Sequence, residues 1–331
     1  MPAILPRGIN ASNVRVMDPS DELQPGRLMR IGPAVQRLVA PNASLMTGPG
    51  TNSYVIGDVA VLDPGPDDPA HLTRLCAAAP RIRHVFVTHT HRDHSCGARA
   101  LAKRTGAVIV GLPPPSDGLQ DMSCVPDIAA RHDTVFELET DTITNSGHNA
   151  RRADAAATGH AIQAFNPIRL RVIHTPGHAS NHVCYLLSGG GSFDAGLDEE
   201  GLLFSGDHVL EGVTPVILPP DGDMAQYLDS LARLKGYRLR AIAPGHGRVI
   251  NAPLAAIDGV IAHRARREAK VLGVLNAARR GPLDELLPRV YDDVRPELLP
   301  IARKSLEAHL IKLRREGRAG LDGDTWLAVQ E

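Results

Sequence analysis

Aromatic residues are scarce: one Trp, five Tyr and five Phe make up 3% of the 331 residues. Stacking platforms are correspondingly few, which counts against a large groove for single-stranded nucleic acid. Cysteine is rarer still. Cys76, Cys96, Cys124 and Cys184 are far apart and form no CxxC pair. Reduced thiols in a cytoplasmic protein fit that pattern better than a disulfide frame does. No stretch of ~18 apolar residues occurs, so no transmembrane helix and no membrane partner are expected. No apolar run follows a basic N-terminus, which argues against a secretory signal. Charge of one sign is also lacking. The formal net charge is −1, and nothing global favours a polyanion or a membrane surface.

Apolar residues make up 43% of the chain, enough for one large domain plus a small one. Residues 1–30 read as an arm punctuated by proline and charge. Residues 53–56 and 59–62 alternate as two strands, joined through Gly57-Asp58 as a hairpin. Helices are expected over 67–79, 95–104 and 224–234. Strands are expected over 84–87, 107–110, 169–173, 183–187 and 202–204, and one ends at 241–243. Strands mixed with helices, without a strict βαβ rhythm, indicate a layered α/β sandwich over residues 31–262. Residues 140–165, rich in Thr, Ala, Asn and Gly, read as an insertion or loop. Residues 188–200 read as a glycine-rich turn without the Lys-Ser/Thr of a phosphate cradle.

From residue 263 the character becomes helical and basic. Between residues 264 and 318, 14 Lys+Arg stand against 8 Asp+Glu. This asymmetry is the one hint of affinity for a polyanion. Helices over 283–290 and 301–315, then a two-strand wing over 317–329, give a small winged-helix-like module. Pro282 and Pro300 sit where helices start.

The richest chemistry lies in Thr88-His89-Thr90-His91-Arg92-Asp93-His94. Four ligand-type side chains fall within six residues, between a strand and a helix. Imidazole and carboxylate both suit Zn²⁺ and related ions. His89 and His91 are two apart, so extended backbone puts them on one face. Asp93 and His94 are then expected in the following turn. Single histidines are usually core or surface residues, but four ligand types in HxHxDH order are a specific signal. Three further residues each follow a glycine at a strand end: His178 in Thr-Pro-Gly-His, Asp207 in Ser-Gly-Asp-His, and His246 in Pro-Gly-His-Gly.

These motifs, in this order, resemble the metallo-β-lactamase superfamily. Gly50-Thr-Asn-Ser-Tyr and Val61-Leu-Asp63-Pro-Gly65 also resemble its opening. The resemblance implies an αββα sandwich with metals at one edge, between the two sheets. It implies that His89, His91 and His178 hold a first ion, that Asp93, His94 and His246 hold a second, and that Asp207 bridges both. The expected cofactor is two zinc ions per chain, with manganese or iron as alternatives. Asp63 resembles the aspartate that orients a ligand by hydrogen bonding. His182 and His208 are expected as further donors behind the ligands, and Cys96 and Cys184 as core residues. Two ions ~3.5–4 Å apart share a hydroxide at neutral pH that attacks a carbonyl or phosphoryl centre, with Asp93 as the catalytic group steering its proton.

Zinc β-lactamases commonly carry cysteine where Asp207 stands, which disfavours antibiotic hydrolysis. With its basic tail, the chain resembles the β-lactamase-like protein 2 group, whose animal members cleave single-stranded RNA. Fungal thioesterases acting on carrier proteins share that scaffold. The expected substrate is therefore single-stranded RNA, or a small ester or thioester. The chain departs from the group at Ala179-Ser180-Asn181, where acidic residues are common. A homodimer contact is the alternative use of the tail. Two other readings are a nucleic-acid-binding regulator with an inactive lactamase domain and an iron-dependent redox enzyme.

Overall fold

The computed structural model describes residues 22–116, 118, 120–140, 168–189 and 200–329. Residues 1–21 of the expected arm, 141–165 of the expected insertion and 190–199 of the glycine-rich turn lie outside the described residues.

Two sheets face one another. The first runs β1 (Leu28–Gly32), β2 (Val35–Val39), β3 (Asn52–Ile56), β4 (Ala60–Leu62), β5 (His84–Phe86), β6 (Val108–Gly111) and β7 (Ile128–Ala129) in chain order. Its first four strands pair antiparallel and β4 to β7 pair parallel. The second has the order β12 (Leu239–Pro244), β11 (Gly201–Gly206), β10 (Val183–Ser188), β9 (Ile168–His174) and β8 (Val135–Leu138). The expected hairpin forms, with Ile56 opposite Ala60 and Gly57 at positive φ.

Alternation along the strands fills the space between the sheets. Ile168, Leu170 and Val172 of β9 meet Val183, Tyr185 and Leu187 of β10 there, with Tyr54, Phe86 and Phe204 from other strands. The opposite faces are covered by helices. Pro69–Ala78 and Arg92–Thr105 pack on the first sheet through Leu72, Leu75, Ala98 and Leu101. Met224–Leu234 and the first half of Pro253–Ala278 pack on the second through Tyr227, Leu231, Ile257 and Val260. Asp68 and Asp223 cap their helices by accepting backbone N–H bonds, as short acidic side chains do at helix starts. The result is the expected αββα sandwich. Strands β1 and β2 were not expected. Arg37 stands in the middle of β2, fully buried and paired with Glu22 at 3.0 Å, and it masks an apolar strand.

The C-terminal module is built on helices Leu283–Val290 and Leu299–Arg315 and a three-stranded sheet, β13 (Arg280–Pro282), β15 (Thr325–Ala328) and β14 (Ala319–Asp322). It has its own core around Leu286, Leu306, Leu310 and Trp326. Helix Pro253–Ala278 runs unbroken through residue 262. Its second half carries Val271 and Leu275 into this smaller core, so one rod joins the two units.

A buried polar cluster braces that rod. Glu268 accepts from Lys312 at 2.9 Å and from His309 Nδ1 at 3.5 Å. Burial alone would raise the Glu268 carboxyl, but these hydrogen bonds outweigh it and hold the group at about 2, against a usual 4.5. Burial lowers His309, so Lys312 is the more constant charge partner. A depressed carboxylate contributes stability above its unfolded value and loses it as pH falls through the folded one. Thermal unfolding followed by circular dichroism should therefore weaken between about pH 4.5 and about pH 2. The contribution is at most about 3 kcal/mol, less what solvent screening removes. Glu268→Gln should be less stable at neutral pH and lose this acid-dependent component; an unaltered pH profile would count against the brace.

Candidate metal centre

The strand ends deliver the site. His89 follows β5, His178 follows β9, Asp207 follows β11 and His246 follows β12. Asp93 and His94 stand in the first turn of helix Arg92–Thr105, whose N-cap is His91. This corrects the expected turn at Asp93-His94 and the helix start at Ser95. His91 is extended, and the chain turns helical immediately after it, with the His94 and Ser95 amides donating to the His91 carbonyl at 3.0 and 3.1 Å. Asp93 then complements the positive end of the helix.

All seven residues read from the sequence converge. Ligand-type atoms of His89, His91 and His178 lie within 4.8 Å of one another, as do those of Asp93, His94 and His246, and those of His89, His94 and Asp207. His91 Nδ1 is 2.9 Å from His89 Nε2 and 3.0 Å from His178 Nε2. The tautomers follow from the far sides of the rings. His178 Nδ1 donates to the Val216 carbonyl at 2.7 Å, so its Nε2 carries a lone pair towards His91. His246 Nδ1 donates to the Gly50 carbonyl at 3.3 Å. His94 Nδ1 donates to Asp63 Oδ2 at 3.0 Å. In the trio of His89, His91 and His178, lone pairs aimed at a common point repel unless a cation takes them. His94 Nε2 and Asp207 Oδ1 are buried without a hydrogen-bond partner, which is what a cation-binding donor set looks like when seen by itself. The residues therefore fit bound metal.

Asp207 faces both groups. Its Oδ1 is 3.4 Å from His94 Nε2 and from His246 Nε2, while its Oδ2 is 3.7 Å from His178 Nε2. Asp93 Oδ2 is 3.3 Å from His94 Nε2 and 3.2 Å from His246 Nε2. Burial opposes charge on His94, but Asp93 and Asp207 overcome it and raise that imidazole. Burial and the neighbouring imidazoles push His89 down and His91 to about 3. The site thus divides into a neutral trio of histidines and a carboxylate-rich half.

Asp63 takes the orienting place expected of it. At positive φ, it accepts from Thr88 N and Thr88 Oγ1, both at 2.8 Å, and from His94 Nδ1. Gly245 matters for space. A Cβ there would lie 2.6 Å from Asp207 Oδ1 and 2.7 Å from His94 Cε1. The Gly50-Thr-Asn-Ser-Tyr segment clamps the His246 loop. Asn52 Nδ2 donates to the Pro244 and Gly247 carbonyls at 2.9 Å, and Tyr54 Oη donates to Pro244 at 2.6 Å.

His182 and His208 are buried beside the ligand group but make no hydrogen bond to it among the described residues. The His182 Nδ1 contact is with Thr175 Oγ1 at 2.8 Å, and both His208 nitrogens are without partners. Their rings pack in series, His89 to His182 at 5.1 Å and His182 to His208 at 5.5 Å. Cys184 is fully buried as expected. Cys96, expected in the core, is only half-buried, because its side of the helix turns towards Asp121. Asn181, in the segment that departs from the group, is structural. Its Nδ2 donates to Thr90 Oγ1 at 2.6 Å and to the Pro113 carbonyl at 3.2 Å.

A cavity of about 730 Å³ opens onto His91, Asp93, His178, Asp207 and His246. Leu45, Met46, Leu210 and Val213 of the sandwich form part of its wall. Tyr291, Leu298 and Ile301 of the C-terminal module line it too, and Arg92, Arg264, Arg267 and Arg295 bring positive charge to the same wall. Sequence reasoning missed this wall, since its residues come from distant segments with no shared period.

Residues 46–246 match the family model described as the metallo-beta-lactamase superfamily. The chain belongs to the metallo-beta-lactamase superfamily. Residues 283–326 match the beta-lactamase associated winged helix domain, which accounts for the C-terminal module. Among relatives, a beta-lactamase-like protein 2 homolog of Drosophila melanogaster is 28% identical over 304 residues, covering 87% of this chain and 90% of its own. An atrochrysone carboxyl ACP thioesterase of Cryptosporiopsis sp. is 27% identical, covering 76% of this chain and 65% of its own. A metallo-beta-lactamase family protein from Thermus thermophilus shares the superfamily fold with a TM-score of 0.66 at 19% identity, covering 91% of this chain and all of that one. No described helix is long and apolar enough to cross a membrane.

Proposed function

We propose that this superfamily member is a two-metal hydrolase of acyl esters or thioesters whose acyl part is largely apolar. The observation that carries the reading is the cavity, which leads from five of the seven ligand candidates into a wall of Leu45, Met46, Leu210, Val213, Leu298 and Ile301. An aliphatic chain gains about 0.8 kcal/mol per methylene buried there.

His89, His91 and His178 would hold one divalent ion, and Asp93, His94 and His246 the other, with Asp207 between them. Zinc suits this donor set. Two such ions supply a Lewis acid for the carbonyl oxygen and make a water acidic enough to attack near neutral pH. Asp93 is the most open carboxylate of the group, its side chain 29% exposed, and from the cavity wall it would steer the proton of the attacking water. Asp63 fixes the His94 ring, and the Val216 carbonyl fixes His178. The apolar walls exclude water from the carbonyl once an acyl chain is seated.

The fungal relative is named a thioesterase, which agrees with this reading. Several of the C-terminal cations are also held in ion pairs, although only Arg315 draws on an acid outside residues 264–318. Arg267 pairs with Asp293, Lys270 with Asp292 and Asp293, Arg303 with Asp284, and Arg315 with Asp223. A complete set of seven ligand candidates opposes an inactive regulator.

The test is a panel of acyl thioesters, lactones and single-stranded RNA with metal-loaded protein. Thioester kcat/KM should rise about four-fold per added methylene until the cavity is filled, and Met46→Asp should flatten that rise. Cleavage of RNA that weakens steeply with salt, with thioesters left intact, would overturn the reading.

A further inference from the structure

Arg264 is a buried cation with no anion. It is 3% exposed, and among the described residues no carboxylate lies within ion-pair distance of it. Its Nη2 donates to the Pro215 carbonyl, its Nε has no partner, and its guanidinium meets the neutral Tyr227 side chain, which offers a hydroxyl but no charge. The nearby carboxylates are already engaged. Asp293 makes paired bonds to Arg267 at 2.8 and 2.9 Å, and Glu268 is held by Lys312 and His309. Arg267 itself raises the local positive potential against Arg264. Burying an unpaired charge is costly, and a fold that retains one at a cavity wall is arranged for a charge that arrives from outside.

The position fits that role. Arg264 lines the same cavity as the ligand candidates. It anchors to Pro215, and His178 anchors to the adjacent Val216, so the loop that orients a metal-ligand candidate separates it from the guanidinium. Tyr291 and Ser305 line the wall with Arg264. The Tyr291 hydroxyl is buried and its nearest polar neighbour is the Ser305 side chain, with no hydrogen bond of good geometry between them. We propose that Arg264, with Tyr291 and Ser305, forms an anion subsite that takes a carboxylate or phosphate carried by the substrate away from its scissile bond. The substrate class becomes an acyl compound with an apolar stem and a distal oxyanion. The assignment of a scissile acyl bond rests on the proposed hydrolase; the anion subsite does not.

The test is calorimetric titration of the full-length protein with hexanol, hexanoate and hexyl phosphate, as purified and again after chelation. Charged ligands should bind at least about tenfold more tightly than hexanol, the range of charge-assisted hydrogen bonds. Comparing hexanoate with hexyl phosphate tells which oxyanion the subsite prefers. Arg264→Met should abolish the preference with and without chelator, and Arg264→Lys should keep part of it. The unliganded Arg264→Met protein should melt close to the parent, since relief of the unpaired buried charge offsets the lost bond to the Pro215 carbonyl. A large drop in its melting temperature would instead make Arg264 a pin for the Pro215 loop and overturn the proposal. So would an anion preference that survives Arg264→Met but vanishes on chelation, since the anion would then sit on the metals. Arg264-dependent anion binding without thioester turnover would refute the hydrolase reading alone; turnover without that binding would refute the subsite alone.

Discussion

Asp207→Ala should reduce hydrolysis of the best substrate on the order of a thousandfold while leaving the fold intact. The loss should exceed the 10- to 100-fold typical of groups behind the ligands, because Asp207 is the one side chain that faces both halves of the site. Its Oδ1 approaches His94 and His246, and its Oδ2 approaches His178. Without it, one carboxylate, Asp93, would remain to balance two cations amid five imidazoles. Asp207 also stands beyond the end of β11, outside the apolar layer between the sheets. Circular dichroism and thermal melting should therefore change little while metal content and kcat fall together. Retained activity would refute the bridging role. A collapsed fold would mean that the carboxylate is needed structurally to offset the raised imidazoles of His94 and His246.

Asp63→Asn should act one step further out and show a different signature. Asp63 is 1% exposed and accepts three hydrogen bonds, two from Thr88 and one from His94. An amide in its place offers one oxygen and one NH₂ group. At least one of those donors is left facing another donor, which costs about 1–3 kcal/mol in stability. The His94 ring also loses the charged acceptor that sets its tautomer. Affinity of the carboxylate-rich half for metal should fall roughly 10- to 100-fold. Chelator competition would measure this, and excess metal should restore much of the activity, unlike in Asp207→Ala. If metal affinity is unchanged and only the melting temperature drops, Asp63 is a brace between β4 and β5 and nothing more.

The ligand residues were legible because each breaks the pattern around it. His178, Asp207 and His246 each follow a glycine at the end of an apolar run, and HxHxDH crowds four donors where a strand meets a helix. The winged-helix module was legible from its helix periods and prolines, though β13 was not, since Gly281-Pro282 reads as a breaker. Strands β1 and β2 escaped for two different reasons. β1 reads Leu28-Met29-Arg30-Ile31-Gly32 and is only partly buried, so its alternation is too weak to mark a strand. In β2 the adjacent Gln36 and Arg37 interrupt the apolar run, and tertiary contacts with Glu22 and the Gly247 carbonyl make that arginine tolerable inside.

The cavity was illegible because Leu45, Val213 and Ile301 belong to three unrelated segments, and no local period joins them. Arg264 looked like one more charge in a basic stretch, since burial is a property of the folded chain and cannot be read from a run of arginines.

Metal content of the purified and reconstituted chain, read by mass spectrometry of bound elements alongside Asp207→Ala, tests the metal centre most directly. About two divalent ions per chain are expected, the stoichiometry of a two-metal site, falling sharply in the variant. A parent protein that takes up no metal under any loading condition, or that binds it equally well without Asp207, would contradict the assignment.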